Sequence, residues 1–207
     1  MRILAIDSSS MVATVAITTD GILNAEYTIN HKKTHSQTLL PMIAEIVKMI
    51  EIDMDSIDAV AITGGPGSYT GLRIGSATAK GIGLALNKPI INVPTMDALA
   101  YNLYDSRALI CPIMDARRSQ VYTGIYRFQE HKLVTVEAQM AVPMAEMIEK
   151  LNARGEEVVF LGDGVPVFGK MIQENLKVPY SFAPAHVNKQ RAAAVAALAE
   201  IYFREMI

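Results

Sequence analysis

The sequence predicts an α/β protein made of two duplicated halves. Three observations predict it. Short apolar runs of strand length alternate with stretches in which apolar residues recur at helical spacing. The order of those elements in the first half returns in the second, a period near half the chain. The punctuation returns as well: each first strand ends on an aspartate, Asp7 and Asp115, and each fourth strand runs into a glycine pair, Gly64-Gly65 and Gly162/Gly164.

The elements follow in order. Residues 3–6 form a buried strand, 12–18 a second, and Asp20-Gly21 a tight turn that returns a third over 22–28. Over 36–50 the residues Leu39, Leu40, Ile43, Ile46, Val47 and Ile50 recur at helical spacing, with Pro41 early enough to bend the helix without ending it. Residues 58–63 read as a strand, 68–86 as a helix, 89–93 as a short strand and 95–104 as a helix. The second half repeats this with strands at 109–114, 121–128 and 133–138 and a helix carrying Met144, Met147, Ile148 and Leu151, closed by Gly155. A strand at 157–161, a short helix, a strand near 178–182 and an alanine-rich helix from about 188 complete it. The expected division is 1–106 and 107–207.

Composition narrows the class. The chain has 207 residues, 51% hydrophobic and 19% charged, which suits a globular protein with a real core. No apolar run reaches the ~18 residues of a membrane span, and the apolar start is too short for a signal peptide. A single cysteine, Cys111, excludes an internal disulfide and fits a reducing cytoplasm. The formal net charge is −2. A protein that grips RNA alone carries a basic excess to release counterions, so nucleic acid here implies a partner that holds most of it.

The stretch "GGPGSYTGLRIG" at 64–75 draws the most attention. It lacks the lysine of a P-loop, since Leu72 follows Gly71, and it lacks the third glycine of a dinucleotide fingerprint. What remains is a strand, a glycine turn and a helix start, where free N–H groups attract anions. Asp7, Gly64, Gly65, Gly67 and Ser68 are therefore the candidate nucleotide contacts, against the plainer reading of a tight turn. Along the helix, Gly71, Gly75, Ala79 and Gly83 recur every fourth position and line one bare face. Another backbone can approach there closely, either a partner's or the protein's own sheet. The helix at 36–50, with adaptable Met42 and Met49, is the candidate second half of such a surface.

The remaining chemistry is sparse. Asp7 and Asp115 would hold hydrated metal in an active ATPase, but Ser8-Ser9-Ser10 replaces a glycine-bearing first turn, which favours carboxylates that accept backbone hydrogen bonds. His31 and His35 have the i, i+4 spacing of a zinc pair, yet Lys32 and Lys33 stand between them and a solvated loop fits better. Cys111 reads as a small core residue. Arg117-Arg118 is the densest basic pair near the presumed cleft, read as solvated charge with phosphate or acidic contact left open.

Two such halves around a cleft are the architecture of actin, sugar kinases and Hsp70 chaperones, an actin-like ATPase (ASKHA) fold of two RNase H-like halves. Within that class the motifs "ILAIDSSS", "HSQTLLPMI", "GGPGSYTGLRIGSATAKGIGLAL", "PTMDALA" and "MDARRSQVY" resemble the bacterial TsaB (YeaZ) family, over about the first three-fifths of the chain. The resemblance implies a decayed ATPase site and a role in making threonylcarbamoyladenosine (t6A) on tRNA. It implies a non-catalytic subunit that binds the paralogous transferase TsaD, with TsaE as the ATPase. The metal-binding H-x-x-x-H of TsaD falls about on Thr95 and Leu99 here, and neither side chain can replace an imidazole. Family members often continue past the length of this chain, which leaves a short or absent closing segment as the expectation.

The family also implies a bundle with TsaD through its first two helices. That makes Leu39, Met42, Ile43, Ile46, Gly71, Leu72, Gly75, Ala79 and Gly83 the expected partner interface, homodimeric when TsaD is absent. No cofactor of its own is expected, with ATP or ADP at the composite interface, tRNA met through the complex, and no membrane. The rival reading is an ATP-dependent enzyme of the same fold, a kinase or a peptidase-like protein, which needs Asp7 and the glycine loops to cradle Mg-ATP.

Overall fold

The structure, a computed structural model, describes residues 1–31 and 34–206. The first sheet has five strands: β1 (Arg2–Asp7), β2 (Val12–Thr19), β3 (Ile22–Asn30), β4 (Ala59–Thr63) and β5 (Ile90–Val93), in the order β3-β2-β1-β4-β5. β1 runs antiparallel to β2 and parallel to β4, and β4 runs parallel to β5. Helix α1 (His35–Met49) connects β3 to β4, α2 (Tyr69–Leu86) connects β4 to β5, and α3 (Thr95–Tyr101) follows β5. The helix α1 continues through Pro41.

Strand period and helix period meet in one core. Leu4, Ile6, Val15, Ile17, Val60 and Ile62 alternate along their strands and pack on Leu39, Met42, Ile43 and Ile46 of α1 and Ala79 of α2. The opposite face of the sheet, with Ile3, Ala5 and Ala16, is buried as well. It is covered by α6 (Ala192–Met206), the last helix, which lies against β1, β2, β4 and β5. Ala192, Ala194, Ala196 and Ala199 are buried there, and their small side chains let the helix lie close to the strands.

The second sheet repeats the plan with β6 (Leu109–Asp115), β7 (Gln120–Gln129), β8 (Lys132–Pro143), β9 (Val158–Leu161) and β10 (Tyr180–Phe182). Its order, β10-β9-β6-β7-β8, is the first sheet's order read from the other edge. Helices α4 (Met144–Arg154) and α5 (Val165–Asn175) bury Met144, Met147, Ile148, Leu151, Phe168 and Ile172 against it. The predicted sequence of three strands, helix, strand, helix, strand, helix is therefore present twice.

The division of the chain differs from the expected 1–106 and 107–207. The compact units are Met1–Ala98 with Gln190–Ile207, and Leu99–Lys189. The last helix returns to the first unit because its apolar face completes the covering of that sheet.

Candidate functional site

In the first unit, the carboxyl ends of β1 and β4 bring together the turn after Asp7, the glycine loop after Thr63 and the start of α2. The side chain of Asp7 is buried, and its Oδ1 accepts the Ser9 N–H at 2.8 Å. Burial pushes the Asp7 carboxyl pKa up, opposed by the Ser9 backbone and hydroxyl, the Thr63 hydroxyl and the positive charge of His35. Ser8, Ser9 and Ser10 are buried too.

The glycine loop lies directly on that serine turn. Ser68 N–H donates to the Ser9 carbonyl at 2.7 Å, and the Ser8 hydroxyl donates to the Gly71 carbonyl at 2.8 Å. A Cβ on Gly67 would stand 2.3 Å from the Ser9 carbonyl oxygen, one on Gly71 2.1 Å from that of Ser8, and one on Gly75 2.2 Å from Ser8 Oγ. Those three positions admit no side chain because the protein's own β1–β2 turn occupies the space. Ser68 also caps α2, its Oγ accepting the Gly71 N–H at 3.2 Å. Gly65 accepts the Thr95 N–H at 2.9 Å.

This arrangement corrects the expected partner interface. Gly71, Gly75, Ala79 and Gly83 are all buried, and Gly83 faces Ile90 and the Lys88 carbonyl of its own chain. Leu39, Met42, Ile43 and Ile46 are core residues. Leu72 is half-buried and packs beside Gly65. The bare helix face takes a close approach, and the groups that arrive at its glycines belong to the same chain.

The turn engages part of its polar groups internally: Asp7 Oδ1 holds Ser9, Gly65 and Ser68 direct their polar groups at Thr95, Ser9 and Gly71, and Gly67 and Gly71 lie against the serine carbonyls, while the buried Asp7 Oδ2, Ser9 Oγ and Thr63 Oγ1 have no hydrogen-bond partner among the described residues. The five candidate nucleotide contacts lie near one another, as expected, with Gly64 and Ser68 exposed and Asp7 and Gly65 buried. Sequence reasoning missed one strap: His35 Nε2 donates to the Ser10 carbonyl at 2.7 Å and ties the start of α1 to the same turn. His31 is exposed, and Lys32 and Lys33 lie outside the described residues. Cys111 is buried beside Thr123, and burial pushes its thiol up to about 12, far from nucleophilic chemistry.

What α1 and α2 offer to the outside is a different set of residues. The two helices lie side by side. Their outer faces expose Leu40 (57%) and Met49 (71%) on α1, and Tyr69 (69%) and Leu84 (85%) on α2. Ala77, Gly81 and Ala85 are exposed on α2, and nothing lies within 4 Å of a Cβ built on Gly81. The Arg73 guanidinium stacks over the Tyr69 ring, 4.6 Å from its centroid. The sequence carried the signal in Leu84, an apolar residue out of register with the small-residue stripe of α2.

In the second unit Asp115 repeats the Asp7 motif: its Oδ1 accepts the Arg117 N–H at 2.8 Å, two residues on. Asp163, from the loop after β9, accepts the Asp115 N–H at 3.3 Å. Both aspartates thus take the turn role expected for them.

Two sheets of one strand order, each crossed by helices after its third and fourth strands, define a protein of the actin-like ATPase fold. An inorganic polyphosphate/ATP-glucomannokinase from Arthrobacter sp. strain KM superposes over 98% of this chain and 99% of its own, with TM-score 0.57 at 12% identity. YeaZ from Pseudomonas aeruginosa superposes over 99% of this chain and 94% of its own, with TM-score 0.81 at 24% identity. A family model described as "TsaD: tRNA N6-adenosine threonylcarbamoyltransferase" matches residues 23–207. The tRNA threonylcarbamoyladenosine biosynthesis protein TsaB of Bacillus subtilis (strain 168) is 35% identical over 176 residues, 85% of this chain and 77% of that protein. This chain belongs to the TsaB family.

Proposed function

We propose that this chain works in t6A formation on tRNA as a non-catalytic subunit that binds and supports TsaD, together with TsaE, in the cytoplasm. The family supplies the pathway, since TsaB relatives carry t6A biosynthesis in their names. The observation that carries the subunit reading is the outward apolar set Leu40, Tyr69 and Leu84 on two adjacent helices. Three large apolar side chains at more than half exposure on neighbouring helices cost hydration free energy until something covers them. A partner helix laid along Ala77, Gly81 and Ala85 meets almost no side chain and gains that burial. Without TsaD, a second copy covers the same face.

The close packing of Gly67, Gly71 and Gly75 on the chain's own serine turn supports an accessory role over the rival ATP-dependent enzyme, which needs room for phosphate at that turn. Nucleotide, in this reading, sits only where the assembled subunits form a composite site, and tRNA is reached through the complex. The test is the double substitution Leu40→Asp/Leu84→Asp, both on exposed positions that leave the core untouched. It abolishes co-elution with TsaD and t6A formation in a reconstituted reaction, while circular dichroism and melting temperature stay at wild-type values. Normal co-elution of the folded variant overturns the assignment.

A further inference from the structure

We propose that the turn between β6 and β7, residues 116–119, is a phosphate-binding knuckle for the backbone of the tRNA. This rests on the pathway assigned above and gives it a site on the second unit.

Arg117, Arg118 and Ser119 have φ angles of 64°, 52° and 60°, a run of three residues in the left-handed region without a glycine. The other left-handed runs among the described residues are two-residue hairpin turns, Asp20-Gly21 and Glu130-His131. Left-handed positions ordinarily go to glycine, asparagine or aspartate, because a Cβ crowds the following carbonyl. Two arginines in series there are a costly choice, and such strain persists where the surroundings hold it and function uses it.

The surroundings do hold it. Asp115 Oδ1 accepts the Arg117 N–H at 2.8 Å, Gln120 N–H donates to the Arg117 carbonyl at 3.0 Å, and Ala116 N–H donates to the Gln120 carbonyl at 3.0 Å. The Ser119 carbonyl accepts the Met144 N–H at 3.2 Å. The backbone is fastened and the side chains are exposed.

The charges of the same turn are open. Arg127, Arg154, Arg191 and Arg204 each pair with a glutamate, and Arg73 stacks on Tyr69. Among the described residues Arg117 and Arg118, like the separate Arg107, pair with no carboxylate, although Asp115 begins the same turn and Asp163 of the loop after β9 accepts its N–H. Asp115 is engaged by the Arg117 N–H, and burial holds the Asp163 carboxyl pKa up. Two adjacent, unpaired guanidiniums on a fixed turn suit phosphate oxyanions, which a planar fork of donors meets two at a time. In a chain of net charge −2, such a local pair is where a polyanion makes contact.

The test is Arg117→Gly/Arg118→Gly in the full chain. A fluorescein-labelled tRNA transcript with unmodified adenosine next to the anticodon is titrated against the chain alone and against its assembly with TsaD and TsaE. Between 50 and 200 mM salt the variant binds more weakly, and its slope of log affinity on log salt is shallower by about 0.7–0.9 per lost phosphate contact. Its melting temperature does not fall, because glycine relieves the left-handed backbone. Unchanged tRNA affinity and slope overturn the proposal. Loss of melting temperature also overturns it and makes the arginines structural. Unchanged tRNA binding with loss of Mg-ATP binding by calorimetry assigns the turn to a free nucleotide instead, and overturns it. The chain-alone titration reads the turn even if TsaD fails to co-elute, so the two assignments fail separately.

Discussion

Glu26 on β3 and Arg191, just before α6, meet across 165 residues of sequence. Arg191 Nε donates to Glu26 Oε2 at 3.1 Å, while the other oxygen, Oε1, accepts the Ala193 N–H of α6 at 3.0 Å. One strand carboxylate thus serves as an ion-pair partner and as a cap for a helix from the other end of the chain, with Thr14 Oγ1 accepting the Ala192 N–H beside it. Glu26→Ala removes the Arg191 ion pair and leaves the half-buried Ala193 N–H of α6 unpaired, at a cost of about 2 kcal/mol. The melting temperature falls by roughly 4–8 °C. A fall under one degree sinks the claim that this carboxylate anchors the last helix.

Two glycines on one helix respond in opposite directions. Gly75→Ala puts a Cβ 2.2 Å from Ser8 Oγ and 3.0 Å from Ile62 Cδ1. Ser8 cannot turn aside without losing its bond to the Gly71 carbonyl. The overpacking costs about 2–3 kcal/mol. Gly81→Ala meets nothing within 4 Å and gains roughly 1 kcal/mol of helix propensity. Urea midpoints for both decide it, and equal shifts contradict the inward orientation of Gly75.

That contrast shows how far the sequence could be read. Period told which residues share a helix face, so Gly71, Gly75, Ala79 and Gly83 were correctly placed together. Period carries no information about whose backbone arrives at that face. The small turn Ser8-Ser9-Ser10 was the available clue, since a serine run lets a helix backbone close to 2.8 Å hydrogen bonds. The unit boundary was hidden for a similar reason: an alanine-rich helix of period 3.6 fits either sheet, and the choice is made by Glu26 and Thr14, far away in sequence. The order of elements along the chain and the aspartate turns were legible because they depend on neighbours two residues distant or on local periodicity.

Glu137 on β8 joins that strand to α4. Arg154 Nη2 donates to its Oε1 at 2.6 Å and Lys150 Nζ to its Oε2 at 3.2 Å. The Arg154 hydrogen bond is the main cause holding the Glu137 carboxyl pKa below its ordinary 4.5, with Lys150 adding to it against partial burial. A depressed folded pKa gives stability that is present above the unfolded value and is lost as pH falls through the folded one. Glu137→Gln therefore costs up to about 1 kcal/mol at pH 7, and the cost disappears in acid. Melting curves at pH 7 and pH 3 read the difference; a cost independent of pH refutes the ionic account.

Asp7 has the opposite sign. Its carboxyl pKa is raised from 3.8, chiefly by burial, so the folded state holds its proton more tightly than the unfolded chain. Well below pH 3.8 both states are protonated and the group is neutral in its effect. As pH rises past 3.8 the unfolded carboxyl ionises first, and stability is lost until the folded pKa is passed. At neutral pH the raised Asp7 pKa is then a standing cost to the folded state. Asp7→Asn keeps an oxygen for the Ser9 N–H, offers its amide to the hydroxyls of Ser9 and Thr63, and removes the charge. The variant melts higher than the wild-type chain at pH 7, and the gap narrows as pH is lowered toward 3.8. A lower melting temperature at pH 7 would show that the carboxylate's charge is needed at that turn, and with it the ATPase reading of the Asp7 site would return.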